Sequence, residues 1–275
     1  MTSNLGPLGR PQFFETDAVI ELTIDNNIAH VVLNAPARLN ALDEAAIRDL
    51  AGAYAHAESA GVRALVLRGE GRAFCAGRDI AAVNPLTDDV PGFLGGLVTP
   101  LLERMSRFPA PTFAAAHGAC LGVGLGLLIA TDVVYVADTA KIGSPFAGLG
   151  ATLDSGGHAL FVERLGAHRT LDLIYSGRLM TGAEAVAGGL FSQVFPAAEL
   201  TDAATRAADR AASGATQAFL ASKKLVRALR DERLGLWQSM AAETAAQTAL
   251  AATADYREGF AAFQQKRVAA FTGRP

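Results

Sequence analysis

The sequence has little of several features that mark whole classes of protein. Only two cysteines, Cys75 and Cys120, occur in 275 residues, so a disulfide framework is excluded and a reducing compartment is favoured. Neither sign of charge dominates, since the formal net charge is −3. No long-range attraction to nucleic acid or to an anionic membrane surface is therefore expected, and a phosphate-bearing ligand would have to be held by local contacts.

Long apolar runs are also missing from the chain. No segment reaches about 18 consecutive apolar residues, and the N-terminal segment MTSNLGPLGRPQFF has no apolar run of signal-peptide length. We therefore expect a cytoplasmic protein that does not bind a membrane. The hydrophobic content of 51% is enough for a sizeable core, in one large domain or in one domain with a small appendage.

Apolar spacing predicts alternating strands and helices in the first part of the chain. Residues 19–34 (VIELTIDNNIAHVVLN) have the pattern of a hairpin that turns at residues 25–27. Asp43 is placed to cap a helix that stops at Gly61. The runs ALVLRG, TFAAAHG and VVYVAD read as short buried strands, and a helix entered through glycines lies between the last two. This alternation predicts a parallel sheet with helices packed on it.

The pattern becomes almost wholly helical from about residue 168. Leu, Phe and charged residues recur at helical spacing in the alanine-rich segments 201–230 and 233–265, which favours ordered amphipathic helices. We expect a core over residues 1–200 and a helical C-terminal region over 201–275. The C-terminal region would cap the site or mediate oligomer contacts.

Two glycine-rich segments each follow a predicted strand. The turn at Ala76 and Gly77 would let backbone N–H groups approach a ligand closely, although such turns are also common where there is no site. The second segment spaces Gly122, Gly124 and Gly126 at the start of a helix, where unpaired amides attract negative charge. This spacing differs from G-x-G-x-x-G, and no Walker lysine follows, so a nucleotide cofactor is disfavoured.

Four segments in order resemble the crotonase (enoyl-CoA hydratase/isomerase) superfamily: LNAPARLNAL (33–42), ALVLRGEGRAFCAGRDI (64–80), HGACLGVGLGLLIATDVVYVADTAKIGSP (117–145) and SGRLMTGAEAVAGGLFSQVFP (176–196). With the C-terminal FAAFQQKRVAAF (260–271), the resemblance covers roughly residues 18–271. It implies an α/β fold, the crotonase (ClpP-like) spiral of ββα units with a helical C-terminal region. It also implies an acyl-CoA substrate, no separate cofactor, and a homotrimer or a dimer of trimers.

The resemblance assigns roles to individual residues. The backbone N–H groups of Arg78 and Val123 would form the oxyanion hole, because an enolate oxygen needs two preorganised donors. The residues implied to contact the coenzyme or the acyl group are Arg38, Leu39, Ala76, Asp79, Ile80, Gly122, Phe146 and Lys266. Of these, Lys266 would meet the coenzyme phosphates.

The two glutamates that hydratases of this family use are absent, since Gly126 and Phe146 stand at their positions. Asp154, before Ser-Gly-Gly, resembles the Asp-x-Gly-Gly of the ring-1,2-epoxyphenylacetyl-CoA isomerase branch. The resemblance therefore implies that Asp154 is the catalytic proton shuttle of a double-bond shift in an enoyl-CoA, and burial would raise its pKa. An aspartate here is also an ordinary turn or N-cap residue. Two alternatives stay open: a hydratase or another acyl-CoA lyase or hydrolase, and a non-catalytic acyl-CoA-binding homologue.

Other reactive side chains carry weaker signals. His117 is interpreted as a hydrogen-bonded packing residue, and His158 either orients Asp154 or faces solvent. The histidines and cysteines lack the spacing of a metal site, so no metal is expected. Ser144 and Ser155 lie in no G-x-S-x-G elbow, which disfavours a serine nucleophile.

Overall fold

The computed structural model describes residues 19–81 and 83–274, and the N-terminal segment discussed above lies outside them. The strands in these ranges are β1 (Ile20–Asp25), β2 (Ile28–Leu33), β3 (Ala64–Gly69), β4 (Thr112–Ala116), β5 (Ala119–Leu121), β6 (Val133–Ala137), β7 (Lys141–Gly143), β8 (Met180–Thr181) and β9 (Gln193–Phe195). The α-helices are α1 (Glu44–Ser59), α2 (Thr99–Ser106), α3 (Val123–Ile129), α4 (Gly157–Ser176), α5 (Gly182–Ala187), α6 (Ala197–Ala212), α7 (Thr216–Asp231), α8 (Leu236–Ala251) and α9 (Ala254–Gln264). The predicted α/β class is confirmed.

The main sheet has six strands in the order β1-β2-β3-β4-β6-β9. β1 and β2 form the predicted antiparallel hairpin, which turns at Asn26 and Asn27 with positive φ at both, a conformation that asparagine tolerates. The pairs from β2 to β9 are all parallel, as the alternation of strands and helices predicted. Parallel strands end at a common edge, and the loops at their carboxyl ends form the usual ligand site of such sheets.

Two helices, α1 and α6, show how the sequence packs helices against the main sheet. α1 begins as predicted, because Asp43 Oδ1 accepts a hydrogen bond from Ala46 N at 2.8 Å, and it packs against β1 and α2. α6 lies across β3, β4 and β6 with a buried face of one leucine and five alanines, and the small alanines allow close approach to the sheet: Leu200, Ala203, Ala204, Ala207, Ala208 and Ala212. The expected boundary between residues 200 and 201 falls inside this helix, and the division into core and C-terminal region stays a prediction.

The almost wholly helical pattern predicted beyond residue 168 left out two short strands. Met180–Thr181 is strand β8, which joins β5 and β7 in a small second sheet. Gln193–Phe195 is strand β9, which pairs with β6 at the edge of the main sheet. Strands of two or three residues are too short to show a period of two in the sequence, so only their pairing partners reveal them.

The C-terminal helices leave large aromatic side chains uncovered. Trp237 on α8 is 77% exposed and Phe263 on α9 is 84% exposed. The Arg63 guanidinium, just before β3, donates hydrogen bonds to Gly214 O and Phe271 O. This fastens the end of the chain at the edge of the sheet where β3 begins, away from the loops that follow it. Within the described ranges, no helix has both the length and the apolar character to cross a membrane.

Candidate active site

Two glycine turns meet at the carboxyl ends of β3 and β4. Cys75 N donates to Ala119 O at 2.9 Å, and Leu121 N donates to Cys75 O at 3.0 Å, which holds the turns side by side. A methyl group on Gly77 would lie 2.9 Å from Leu121 O and 3.6 Å from Val123 N. Since Gly77 also has φ +100°, the close approach of the turns depends on glycine at this position.

The backbone N–H groups of Arg78 and Val123 are available to a ligand. No acceptor for either lies in the described part of the chain. The peptide of Arg78 is fixed on both sides by Leu42, whose N donates to Gly77 O at 2.8 Å and whose O accepts from Asp79 N at 2.9 Å. Val123 is the first residue of α3, where an N–H has no acceptor within the helix. Two fixed, adjacent donors are the arrangement that stabilises an oxyanion.

Gly122 has the unusual backbone conformation that turns the chain into α3, with φ 52° and ψ −119°. Its N donates to Ser144 Oγ at 3.2 Å, so the serine disfavoured above as a nucleophile helps to hold this turn. A methyl group on Gly122 would lie 2.7 Å from Cζ of Phe146. The Phe146 ring therefore covers the second glycine turn with apolar surface.

The side chain of Arg78 clamps the first turn to a distant segment. Its guanidinium donates to both carboxylate oxygens of Asp88, at 2.6 and 2.8 Å, and lies 4.0 Å from the ring centroid of Phe93. Sequence reasoning considered only the amide of Arg78 and missed Asp88 and Phe93. No motif marks them, because Asp88 lies in a loop, Phe93 lies in the π-helical segment Pro91–Val98 that leads into α2, and their relation to Arg78 is purely spatial.

The predicted coenzyme-contacting residues of the N-terminal half gather beside these turns. Arg38 Nη1 lies between Asp43 Oδ2 at 2.9 Å and Asp79 Oδ2 at 3.0 Å. Leu39 O accepts a hydrogen bond from Ala76 N at 3.0 Å. Nearby, the Ile80 side chain is 52% exposed. The structure thus brings Arg38, Leu39, Ala76 and Asp79 into one surface.

Asn40 ties this surface to the loop between β3 and the first glycine turn, and sequence reasoning missed it. It is 1% exposed, its Oδ1 accepts from Ala35 N at 2.8 Å, and its Nδ2 donates to Glu70 O at 2.9 Å and Ala73 O at 2.7 Å. Its φ of 56° is a conformation in which asparagine is enriched. Asn40, the second asparagine in the segment LNAPARLNAL, was therefore a usable signal for a buried turn residue.

Asp154 lies on the turn before α4, and this turn rests on α3. A methyl group on Gly126 would lie 2.5 Å from Cβ of Ser155. Asp154 Oδ1 is buried and has no hydrogen-bond partner among the described residues. Burial raises the pKa of Asp154 above the usual aspartate value, and Ser155, Arg78 and His158 oppose the increase. The direction is the one that desolvation of a carboxylate produces.

Other predicted residues lie apart from the turns. Lys266 is exposed after the end of α9, and no hydrogen bond or ion pair between described residues joins it to them. His117 Nε2 is 2.9 Å from Gly71 O, and the exposed His158 has its Nε2 3.4 Å from Thr152 Oγ1. Over residues 19–81 and 83–274, no three His, Cys, Asp or Glu side chains form a group that could hold a metal ion.

Comparison with known proteins identifies the family. The model of the family described as enoyl-CoA hydratase/isomerase matches residues 23–274. The chain belongs to the enoyl-CoA hydratase/isomerase family. A Rhizobium meliloti protein named "Probable enoyl-CoA hydratase" is 36% identical over 249 residues, which is 89% of this chain and 94% of that protein. The 1,2-epoxyphenylacetyl-CoA isomerase of Escherichia coli is 30% identical over 256 residues, covering 91% and 97% of the two chains.

Solved structures agree with this assignment. The crystal structure of an enoyl-CoA hydratase from Bacillus anthracis matches with a TM-score of 0.85 at 27% identity, covering 94% of this chain and 100% of that chain. The crotonase fold and the family expected from the sequence are thereby confirmed. Because hydratases and an isomerase both occur among the relatives, the choice of reaction depends on the residues of the site.

Proposed function

We propose that this family member shifts a double bond in an enoyl-CoA thioester, with Asp154 as the proton shuttle. The observation that carries the proposal is the partial burial of the Asp154 carboxyl group and its missing hydrogen-bond partner among the described residues. It is half-buried, one of its oxygens lacks a partner in the described residues, and its turn packs on the helix that begins at Val123. Gly126 and Phe146 supply no carboxylate at the two positions where hydratases of the family carry one.

The proposed reaction needs only two donors and one carboxylate. The thioester oxygen accepts hydrogen bonds from Arg78 N and Val123 N, and the Asp154 carboxylate removes a proton from C2 of a 3-enoyl thioester. The electron pair delocalises to the oxygen as a dienolate, which the two donors stabilise. Asp154 then returns the proton to C4, so the double bond moves from C3–C4 to C2–C3 and nothing else is consumed.

The surroundings of Asp154 suit this role. Its raised pKa makes the carboxylate a stronger base toward a weakly acidic C–H group. The Phe146 ring over Gly122 presents apolar surface where a hydratase would need a group that orients water. Both features favour proton transfer within the bound thioester over the addition of water.

We also propose how the coenzyme and the subunits are arranged. The surface formed by Arg38, Leu39, Ala76 and Asp79 would receive the coenzyme, with the exposed Ile80 beside it. The uncovered aromatic residues of α8 and α9 support a homotrimer or a dimer of trimers, since apolar surface of this kind marks contacts between chains. Light scattering coupled to size-exclusion chromatography would test the assembly, and a monomer would refute it.

The decisive experiment replaces Asp154 by asparagine, which keeps the shape of the side chain and removes the base. A series of 3-enoyl-CoA thioesters is converted, and the conjugated 2-enoyl product is followed by its ultraviolet absorbance. Loss of a general base should lower the rate by about 10²–10⁴ while acyl-CoA binding persists. Asp172→Asn, at an exposed site on α4, is the matched control. Near-normal turnover by the Asp154→Asn enzyme would refute the mechanism.

Hydration is the second candidate function, because a relative at 36% identity carries the name of a hydratase. The enzyme should hydrate crotonyl-CoA negligibly, since positions 126 and 146 provide no carboxylate. Robust hydration by the pure wild-type protein would favour this candidate over isomerisation. Binding of acyl-CoA without turnover of any thioester in the series would instead indicate a non-catalytic homologue.

A further inference from the structure

The short helix α3 contacts both parts of the proposed site, the oxyanion donor and the base. α3 begins at Val123, whose N–H is a proposed oxyanion donor, and Gly126 follows three residues later, about 4.5 Å along the helix axis at 1.5 Å per residue. The Asp154 turn meets the helix at Gly126. A methyl group there would lie 2.5 Å from Ser155 Cβ and 3.1 Å from Ser155 O. The proposed donor and the proposed base are thus both placed by α3.

A methyl group on Gly126 would approach the turn more closely than a methyl group on Gly156 would approach the helix. A methyl group on Gly156 would lie 3.6 Å from Cγ2 of Ile129, which is ordinary van der Waals contact. At Gly126, by contrast, no side chain fits unless the turn moves. The turn that carries Asp154 can therefore lie this close to α3, and to the Val123 amide at its start, only because position 126 has no side chain.

We propose that Gly126 is a positioning residue, which sets the distance between Asp154 and the oxyanion donors. The proposal rests on the proposed function of Asp154. It has a consequence for reaction specificity, because a glutamate at position 126 would have to displace Ser155 and with it Asp154.

The size of the effect follows from the geometry. Carbon atoms in contact lie about 3.5–4.0 Å apart, so an alanine at position 126 should push the turn outward by roughly 1 Å. The turn has room to move, since Ser155 and Gly156 also line an open groove of about 1300 Å³. The variant should therefore fold with a displaced turn. A misplacement of about 1 Å in a catalytic group can lower the rate by about 10²-fold.

The experiment compares Gly126→Ala with a matched glycine and with a rescue variant. Gly52 lies inside α1, and a methyl group there would contact nothing within 4 Å, so Gly52→Ala serves as the control. The double variant Gly126→Ala/Ser155→Gly removes the Cβ that the new methyl group meets. We measure kcat, KM and the thermal midpoint for 3-enoyl-CoA isomerisation, with each change also made in the Asp154→Asn background.

Gly126→Ala should lower kcat by about 10²-fold with KM close to the wild-type value, and Ser155→Gly should restore at least about a tenth of the wild-type kcat. In the Asp154→Asn background, Gly126→Ala should have no further effect, because the displaced group is no longer a base. A Gly126→Ala enzyme as active as Gly52→Ala, or a double variant that recovers nothing, would overturn the proposal.

Two further outcomes separate this proposal from the one on which it rests. If Gly126→Ala yields no folded protein, the double variant should still fold and be active, and its failure would count against Gly126 as a positioning residue. If Asp154→Asn retains turnover, the proposed function fails, whatever Gly126→Ala does. If Asp154→Asn is inactive and Gly126→Ala is fully active, only the role of Gly126 is refuted.

Discussion

Replacing Val123 by proline should remove one of the two proposed oxyanion donors and leave the fold in place. Val123 is the first residue of α3, and proline is favoured there because its missing N–H has no acceptor within the helix. Proline also restricts the residue before it to extended conformations. Gly122, with φ 52° and ψ −119°, already occupies the mirror image of that region, which glycine adopts freely.

The expected loss is confined to the chemical step. Removal of one donor from an oxyanion hole costs about 2.7–4 kcal/mol, or 10²–10³ in kcat. The proline ring retains most of the apolar volume of Val123, which is 1% exposed, so the stability should change by only about 1 kcal/mol. For a domain of this size, that change corresponds to a shift of roughly 2–4 °C in the thermal midpoint.

Val123→Ala is the informative control because it should show the opposite behaviour. It keeps the N–H and deletes two buried methyl groups, which costs about 2 kcal/mol of stability with little loss of rate. Isomerase kinetics and thermal denaturation of both variants test whether Val123→Pro loses mainly rate and Val123→Ala loses mainly stability. A Val123→Pro enzyme that folds, binds acyl-CoA and retains more than about a tenth of the wild-type kcat would refute the role of this amide.

Two more predictions concern stability. Asp154→Asn should raise the thermal midpoint at pH 7, because burial raises the pKa of Asp154 and its ionisation therefore destabilises the folded state above the usual aspartate pKa. The midpoints of the variant and the wild-type protein should converge below about pH 3.9, where the carboxyl group is protonated in both the folded and the unfolded state. A variant midpoint equal to or lower than that of the wild type at neutral pH would contradict this. Asn40→Ala should lower the free energy of unfolding, measured by denaturant titration, by about 3 kcal/mol, which is about 1 kcal/mol for each of its three side-chain hydrogen bonds. Asn40→Gly, which relieves the strain of the positive φ, should lose nearly the same free energy if the lost hydrogen bonds outweigh backbone strain.

The sequence predicted those parts of the fold whose signals are local. The hairpin at Asn26 and Asn27, the cap of α1 at Asp43 and the strand β3 all follow from turn chemistry or apolar runs within a few residues. β8 and β9 could not be found in this way, because a strand of two or three residues carries no period of its own. Each exists only because a neighbouring strand offers it hydrogen bonds.

The same division applies to the site. The glycine turns were predicted because glycine is needed wherever backbones approach closely, and Gly77 has the positive φ that such a turn requires. Asp88 and Phe93 were missed because their role comes from a contact across space with the Arg78 side chain. The tight fit of Gly126 against Ser155 was missed for the same reason, since no pattern in the chain relates the two positions.

Burial raises the pKa of Asp154 against the opposing influence of Arg78. An arginine close to a carboxylate ordinarily lowers its pKa, and Arg78 does oppose the increase at Asp154. The Arg78 guanidinium, however, donates its hydrogen bonds to both oxygens of Asp88 and none to Asp154. Desolvation therefore remains the larger influence on Asp154, and the pKa is raised. The pair between Arg78 and Asp88 thus ties the first glycine turn to the segment before α2 and leaves the guanidinium without a direct ion pair to the proposed base.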